Sequence, residues 1–414
     1  MDDVDSAVSE VIREEVDRLA KANVNVNSMN YFYDFAKELF SKRLDELHRS
    51  KEKGVKVIGA FCNLVPEELI LAVGARPIRL CTGFYGTTLT AEEVMPRLFC
   101  PLVKSFIGFF LGQSKLFQVV DAIIVPTTCD CKKRLGEVFA EMKPTWILEV
   151  PQNTETPQAR DLWLEELKLL KEHLEQFTKN RIGEKELREA IDLCNRRRAV
   201  VRRLQTLRGT LPNVAGNVLL AIHMLYYDDA ERGCERAEAL CDELEKRKKV
   251  GQVLDDDLSP RILLAGSPII MPNWKLPHII EDAGGVVVCD DLCSGTKGFY
   301  DPVQAQDWTM DDMLIAIAER YLTINCPSFT PNLGEINRIL RFVEDFQIDG
   351  VVYHVLQGCH PYSFEARAVE TALKRRNIPM IKIDTDYSRE DVEQIRMRIE
   401  AFLEMVVVRK GIKK

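Results

Sequence analysis

Residues 349–360 read DGVVYHVLQGCH, and residues 121–133 read DAIIVPTTCDCKK. Each stretch opens on an aspartate, runs through β-branched and other apolar residues, and breaks into a small polar turn that carries cysteine. A short, continuously apolar run bounded by turn residues is the pattern of a strand buried on both faces, as in a parallel sheet covered by helices. The two stretches predict an α/β fold with thiols placed where buried strands emerge.

Working outward, strands are expected at Val55–Ala60, Ile78–Leu80, Ala122–Val125 and Thr145–Val150, with helices between them. The pattern resumes at Ile262–Ala265, Val286–Val288, Gly350–Val355 and Met380–Ile383, and a final helix is expected over Arg389–Val407. The second set repeats the first. PEELILAVG (66–74) matches PHIIEDAGG (277–285), with eight residues from proline to the last glycine in each. Cys100-Pro101 matches Cys326-Pro327, Asp121 to Cys129 matches Asp349 to Cys359, and KPTWILEV matches NIPMIKID. Four matches in one order predict one unit used twice.

The remaining segments are helical by pattern. Val4, Val8, Ile12, Val16 and Leu19 recur at helical spacing, and Phe32, Phe35, Leu39 and Leu44 predict a second helix. Leu187, Ile191, Cys194, Leu204 and Leu207 mark a long, charged helical insertion. The fold class expected is therefore α/β: two pseudo-symmetric parallel-sheet (Rossmann-like) domains with an N-terminal helical segment and a central helical insertion. The expected boundaries are 1–53 for the N-terminal helices, 54–157 for the first α/β domain, 158–258 for the insertion and 259–414 for the second α/β domain.

Composition narrows the function. A chain of 414 residues, 46% hydrophobic, can bury large cores. The net charge of −8 and pI near 5.5 argue against nucleic-acid binding. No apolar run approaches the ~18 residues of a membrane span. The acidic start MDDVDSAVSE lacks an apolar signal region, so a cytoplasmic protein is expected. Twelve cysteines in such a chain point to metal, redox or catalytic use rather than a disulfide framework.

In parallel α/β sheets the ligand crevice lies beyond the carboxyl ends of the strands. Cys62 follows the first strand, Cys129 a later one, and Cys100 precedes a helix through Cys-Pro. In the second unit Cys359 matches Cys129 and Cys326 matches Cys100, while Ser267 stands where Cys62 would be. Cys293, in the loop DDLCSGTKG, is the best third thiol there. Cys194, Cys234 and Cys241 lie on helices and read as core residues. Cys81 and Cys289 end strands and lean structural, and Cys131 is a substitute for Cys129. Structural zinc sites usually show paired C-x₂₋₄-C knuckles, and only Cys289 and Cys293 have that spacing. Dispersed thiols gathered by the fold suit an iron–sulfur cluster better. The chain contains no GxGxxG after its first strand, no GxxxxGK[ST] and no GxSxG. Dinucleotide binding, intrinsic ATP hydrolysis and serine hydrolase chemistry are not expected.

FCNLVPEELILAVGARPIRL, FCPLVKSFIG, TTCDCKKR, QGCHPYSFEARAV and IPMIKIDTDYS together resemble the 2-hydroxyacyl-CoA dehydratase and benzoyl-CoA reductase superfamily over nearly the whole chain. The resemblance implies a [4Fe–4S] cluster on Cys62, Cys100 and Cys129, and a homodimeric iron–sulfur ATPase activator that injects low-potential electrons. Cys293, Cys326 and Cys359 depart from the ordinary dehydratase pattern and make the chain more similar to double-cubane cluster proteins. Those relatives imply an [8Fe–9S] cluster held by six cysteines, a homodimer, and reduction of small molecules such as acetylene. Two other readings stand beside this one. The first is a dehydratase or dearomatising subunit with one [4Fe–4S] cluster and a CoA thioester substrate; the second is an electron-storage or cluster-scaffold protein.

Residues near the thiols add candidates. His360 and Lys132 are the catalytic candidates, His360 as a proton donor and Lys132 as a charge that offsets a cluster. His354 reads as packing within a strand. Lys104 and Lys297 follow cysteine motifs as Lys132 does. Glu67 and Glu68 read as helix N-terminal acids, and Arg196–Arg198 with Arg202 and Arg203 as a solvated basic face.

Overall fold

The computed structural model describes residues 3–22, 26–211, 215–251 and 259–411. Its frame is two four-stranded parallel sheets. The first contains β1 (Val57–Ala60), β2 (Arg76–Arg79), β3 (Ala122–Pro126) and β4 (Thr145–Leu148), in the order β2-β1-β3-β4. The second contains β5 (Arg261–Gly266), β6 (Val286–Leu292), β7 (Gly350–Leu356) and β8 (Met380–Thr385), in the order β6-β5-β7-β8. The topologies are identical, so the chain is α/β with two pseudo-symmetric units. In each, the strand order reverses beside the first strand, and that reversal opens a crevice at the carboxyl edge.

The apolar runs become central strands because both faces are covered. β3 and β7 are buried along their whole length. Two glycines shape the ends that matter. Gly266 closes β5 at φ +105°, where a Cβ would lie 2.1 Å from the carbonyl oxygen of His354. Gly358 turns the chain out of β7 at φ +75°, and a Cβ there would meet the carbonyl oxygen of Leu98 at 2.5 Å. Both positions need a residue without a side chain.

The helix Glu184–Arg208 ties the halves together. It packs on the helix Glu67–Ala72 of the first unit and on the helix Met310–Leu322 and β6 of the second. Here the basic run departs from the expected solvated face. Arg197 and Arg198 are buried. Arg197 donates to Glu67 Oε2 at 2.6 Å, Arg198 pairs with Glu68, and Tyr321 Oη donates to Glu68 Oε2 at 2.7 Å. Arg196 and Arg203 pair with Glu238 and Glu245 of the helix Ala230–Lys249. The run is used inside the protein, because acids on other elements face it.

Two element readings also change. The second N-terminal helix is two, Met29–Lys37 and Lys42–Glu52, broken at a turn around Ser41. β6 runs to Leu292 and carries Asp290 and Asp291 fully buried. Arg208 Nη2 lies 2.8 Å from Asp290 and Lys297 Nζ 3.2 Å from Asp291, which lets a charged pair continue a strand.

Candidate functional site

The six cysteines singled out in the sequence, three from each unit, reach one cavity. Cys62 lies just past β1. Cys129 lies past β3 as the N-cap of the helix Asp130–Ala140, and Cys100 is the N-cap of Pro101–Leu111. Cys359 follows β7 as the N-cap of His360–Arg375, Cys293 directly follows β6, and Cys326 opens a turn closed by Phe329 N–H on its carbonyl at 2.9 Å. Cys326-Pro327 thus starts a turn where Cys100-Pro101 starts a helix. All six thiols line a cavity of about 100 Å³. Phe61, Leu102, Val103, Ile270 and Leu356 complete its apolar wall.

The donors on this wall are thiols, the ligand type that soft metals and iron–sulfur clusters take. Among the described residues, no three His, Cys, Asp or Glu side chains gather closely enough to hold a single metal ion. The sulfurs instead spread over the cavity wall. Burial pushes the Cys293 and Cys326 thiols above the ordinary range. A hydrogen bond to Cys359, with burial, does the same to Cys100. The partners that accept such bonds move the other way. Cys359 is lowered by the Cys100 thiol, and Cys129 falls to about 6 through the Cys131 thiol. Three of the six also cap helices of eleven residues or more, whose N-terminal dipoles favour a thiolate. Bringing the raised thiols to the thiolate form requires positive charge within the cavity.

Two cations line the cavity. Lys132 is half-buried with Nζ 3.2 Å from Cys62 Sγ, and the surrounding thiols outweigh its burial and raise its pKa. Arg79 is buried 4.6 Å over the Tyr226 ring and 3.7 Å from Glu67 Oε1. Its Nε has no hydrogen-bond partner among the described residues. Tyr362 Oη is 3.1 Å from Cys293 Sγ. His223 is neutral on the wall. Burial lowers its pKa to about 4, Nδ1 donates to the Ser294 carbonyl, and Nε2 accepts from Met271 N–H.

Other sequence candidates lie elsewhere. His360 is exposed on an adjoining outer cleft of about 670 Å³ and does not line the thiol cavity. Cys131 lines that outer cleft as well. His354 is buried in β7 with Nδ1 on the Ser267 carbonyl. Lys104 pairs with Glu92, and Lys297 with Glu335 and Asp291. Cys194, Cys234 and Cys241 are core residues, and Cys289 is buried within β6, accepting from Gln205.

Sequence reasoning set Cys81 aside, yet it lines the cavity. The signal lay in the repeat: Cys81 follows β2 as Cys293 follows β6. Arg79, Tyr226 and Tyr362 were also missed, because nothing in their neighbourhood marks which strand end or helix face meets the thiols.

A protein-family model described as 2-hydroxyglutaryl-CoA dehydratase, D-component, matches residues 62–406. The provisionally named dehydratase subunit YjiM of Escherichia coli (strain K12) is 34% identical over 86% of this chain and 93% of its own. The (R)-phenyllactyl-CoA dehydratase beta subunit of Clostridium sporogenes is 23% identical over 91% of this chain and 99% of its own. A benzoyl-CoA reductase subunit of Thauera aromatica is 23% identical over 85% of this chain and 91% of its own. Among the described residues no helix is long and apolar enough to cross a membrane.

Proposed function

The chain belongs to the 2-hydroxyglutaryl-CoA dehydratase D-component family, and from that membership we propose that it is an iron–sulfur reductase component. In this reading Cys62, Cys100, Cys129, Cys293, Cys326 and Cys359 hold an [8Fe–9S] double-cubane cluster. The protein works as a homodimer in the cytoplasm. A separate homodimeric iron–sulfur ATPase supplies low-potential electrons, and a small molecule such as acetylene is reduced. The observation that carries the reading is the convergence of thiols from both sheets, at least three from each, on one apolar-walled cavity.

Held by these six cysteines, linked cubanes would supply chemistry that takes up electrons singly and delivers them in pairs; the chain supplies the surroundings. Lys132 and Arg79 offset negative charge on the first-unit side. With Cys293 as a thiolate ligand, Tyr362 Oη, 3.1 Å away, would donate to it and fix its orientation. Leu102, Val103, Ile270 and Leu356 keep water from the sulfurs.

A second reading has its own support. The similarity to subunits of (R)-phenyllactyl-CoA dehydratase and benzoyl-CoA reductase favours a single [4Fe–4S] subunit acting on a CoA thioester. A turnover assay with both substrate classes separates the two. The purified chain alone is expected to hydrolyse no ATP, and acetylene reduction to require an added ATP-hydrolysing iron–sulfur donor. Turnover of a 2-hydroxyacyl-CoA without acetylene reduction would establish the second reading instead.

A further inference from the structure

Between the thiol cavity and the helix Glu184–Arg208 lies a second, much smaller void of about 20 Å³. Asn63, Arg79 and Tyr226 line both spaces, while Glu67 and Arg197 line the small void alone of the two. Its wall is closed by Gly298, where a Cβ would press on Tyr226 Oη and lie 2.8 Å from Asn63 Nδ2.

Three side chains at this void each carry one buried polar atom that finds no partner among the described residues: Arg79 Nε, Arg197 Nε and Asn63 Oδ1. Their residues are 7%, 4% and 6% exposed, so bulk water does not serve them. The other ends of these side chains are anchored. Arg197 Nη1 lies 2.6 Å from Glu67 Oε2, and Arg79 Nη2 lies 3.7 Å from Glu67 Oε1, so one carboxylate faces both guanidinium groups. Arg197 Nη2 also donates to the Leu225 carbonyl at 2.6 Å. Asn63 Nδ2 donates to the Cys293 carbonyl at 2.7 Å, which sets the amide orientation and leaves Oδ1 as the acceptor. Two charged donors and an amide acceptor held out of water without partners are costly.

The unpaired set is two donors and one acceptor. A water molecule accepts two hydrogen bonds and still donates, so one molecule satisfies all three atoms, and a polar void of about 10–15 Å³ is enough to hold it. A halide would accept from both guanidinium groups but would meet Asn63 Oδ1 acceptor to acceptor. We propose that one ordered water occupies this void, accepting from Arg79 Nε and Arg197 Nε and donating to Asn63 Oδ1, and that it fixes the Arg79 guanidinium on the thiol wall. The water joins the end of β2, the residue after Cys62 and the central helix at one point, and Asn63 extends the link to the Cys293 carbonyl of the second unit. Without it, Arg79 keeps the distant Glu67 oxygen and the face of the Tyr226 ring, 4.6 Å away. Arg197 and Asn63 are thus positioning residues for the Arg79 charge.

Crystals of the anaerobically purified full-length chain, grown with and without sodium bromide, test this at a resolution that shows ordered water. Wild type should show one density peak about 2.7–3.2 Å from all three atoms, with no anomalous signal from bromide. Asn63→Leu should lose the peak and release the Arg79 side chain into a different conformer. If that variant fails to fold, Arg197→Lys, which keeps a charge for Glu67 but has no Nε–H, should lose the peak and release Arg79 in the same way. An empty void in wild type, a bromide signal there, or an Arg79 that stays in place when the peak is lost overturns the proposal. The water needs neither cluster nor substrate, so this result is separate from the iron content that tests the reductase reading.

Discussion

Lys132 holds its ammonium 3.2 Å from Cys62 Sγ, on the wall where thiols from both sheets meet. A positive charge at that distance favours added negative charge nearby. Lys132→Met should therefore make the proposed cluster harder to reduce, moving its potential more negative. It should slow substrate reduction by about tenfold, on the scale of other residues that tune a metal centre through its ligands. A redox titration followed by EPR reads the shift. An unchanged potential with full iron content would mean that Lys132 only packs there.

The buried pair Glu68–Arg198, with Tyr321 on the second carboxylate oxygen, joins the first unit, the central helix and the second unit. Removing one partner leaves an uncompensated buried charge. Arg198→Ala should cost about 3–5 kcal/mol of folding stability. The exposed pair Lys168–Glu165 should contribute far less, because solvent screens it. Urea unfolding of Arg198→Ala and Lys168→Ala compares them, and equal losses would remove the buried network from its joining role.

Glu281 gives a pH dependence far from the thiols. The residue as a whole is half-buried, but its Oε1 is out of water without a partner among the described residues. Burial raises its pKa to about 7, against the lowering effects of Gly216 N–H and Arg208. A carboxyl raised in the folded state stabilises the fold most below its unfolded pKa, and that stability is lost as pH rises through 7. The loss should reach roughly 3 kcal/mol above that range. Glu281→Gln cannot ionise, so its stability relative to wild type should rise between pH 5 and pH 8.5. A constant difference across that range would show that Glu281 does not titrate as described.

How much of this was legible depends on what each residue had to contrast with. β7 was readable because seven buried residues end at Gly358 and Cys359, a turn that no strand continues through. The equal topologies were readable because the same proline, cysteine and glycine landmarks recur in one order. The end of β6 was hidden, since Asp290 and Asp291 look like loop residues until Arg208 and Lys297, distant or displaced in sequence, are brought against them. Arg197 and Arg198 looked solvated for the same reason. His360 looked adjacent to the thiols because it follows Cys359, but as the first helical residue it faces the outer cleft. Cys81 needed the β2–β6 equivalence, which the repeat carries and the sheet order makes plain.

The cavity cysteines and the core cysteines should behave differently on substitution. Cys326→Ser and Cys359→Ser should lose or restructure the cluster, change its EPR signals and abolish small-substrate reduction. Cys194→Ser and Cys241→Ser, buried on helices outside the cavity, should keep their iron and lose at most about 3 kcal/mol of stability. Equal iron retention in all four would misplace the site, with Cys81 the next residue to substitute.

The most direct measurement is the iron and acid-labile sulfide content of anaerobically purified protein, taken with density for whatever the cavity holds. Thiols from both sheets sharing one cluster predict about twice the iron of a single cubane per chain, with density reaching Cys293, Cys326 and Cys359. About four irons per chain, with density confined to Cys62, Cys100 and Cys129, would contradict it.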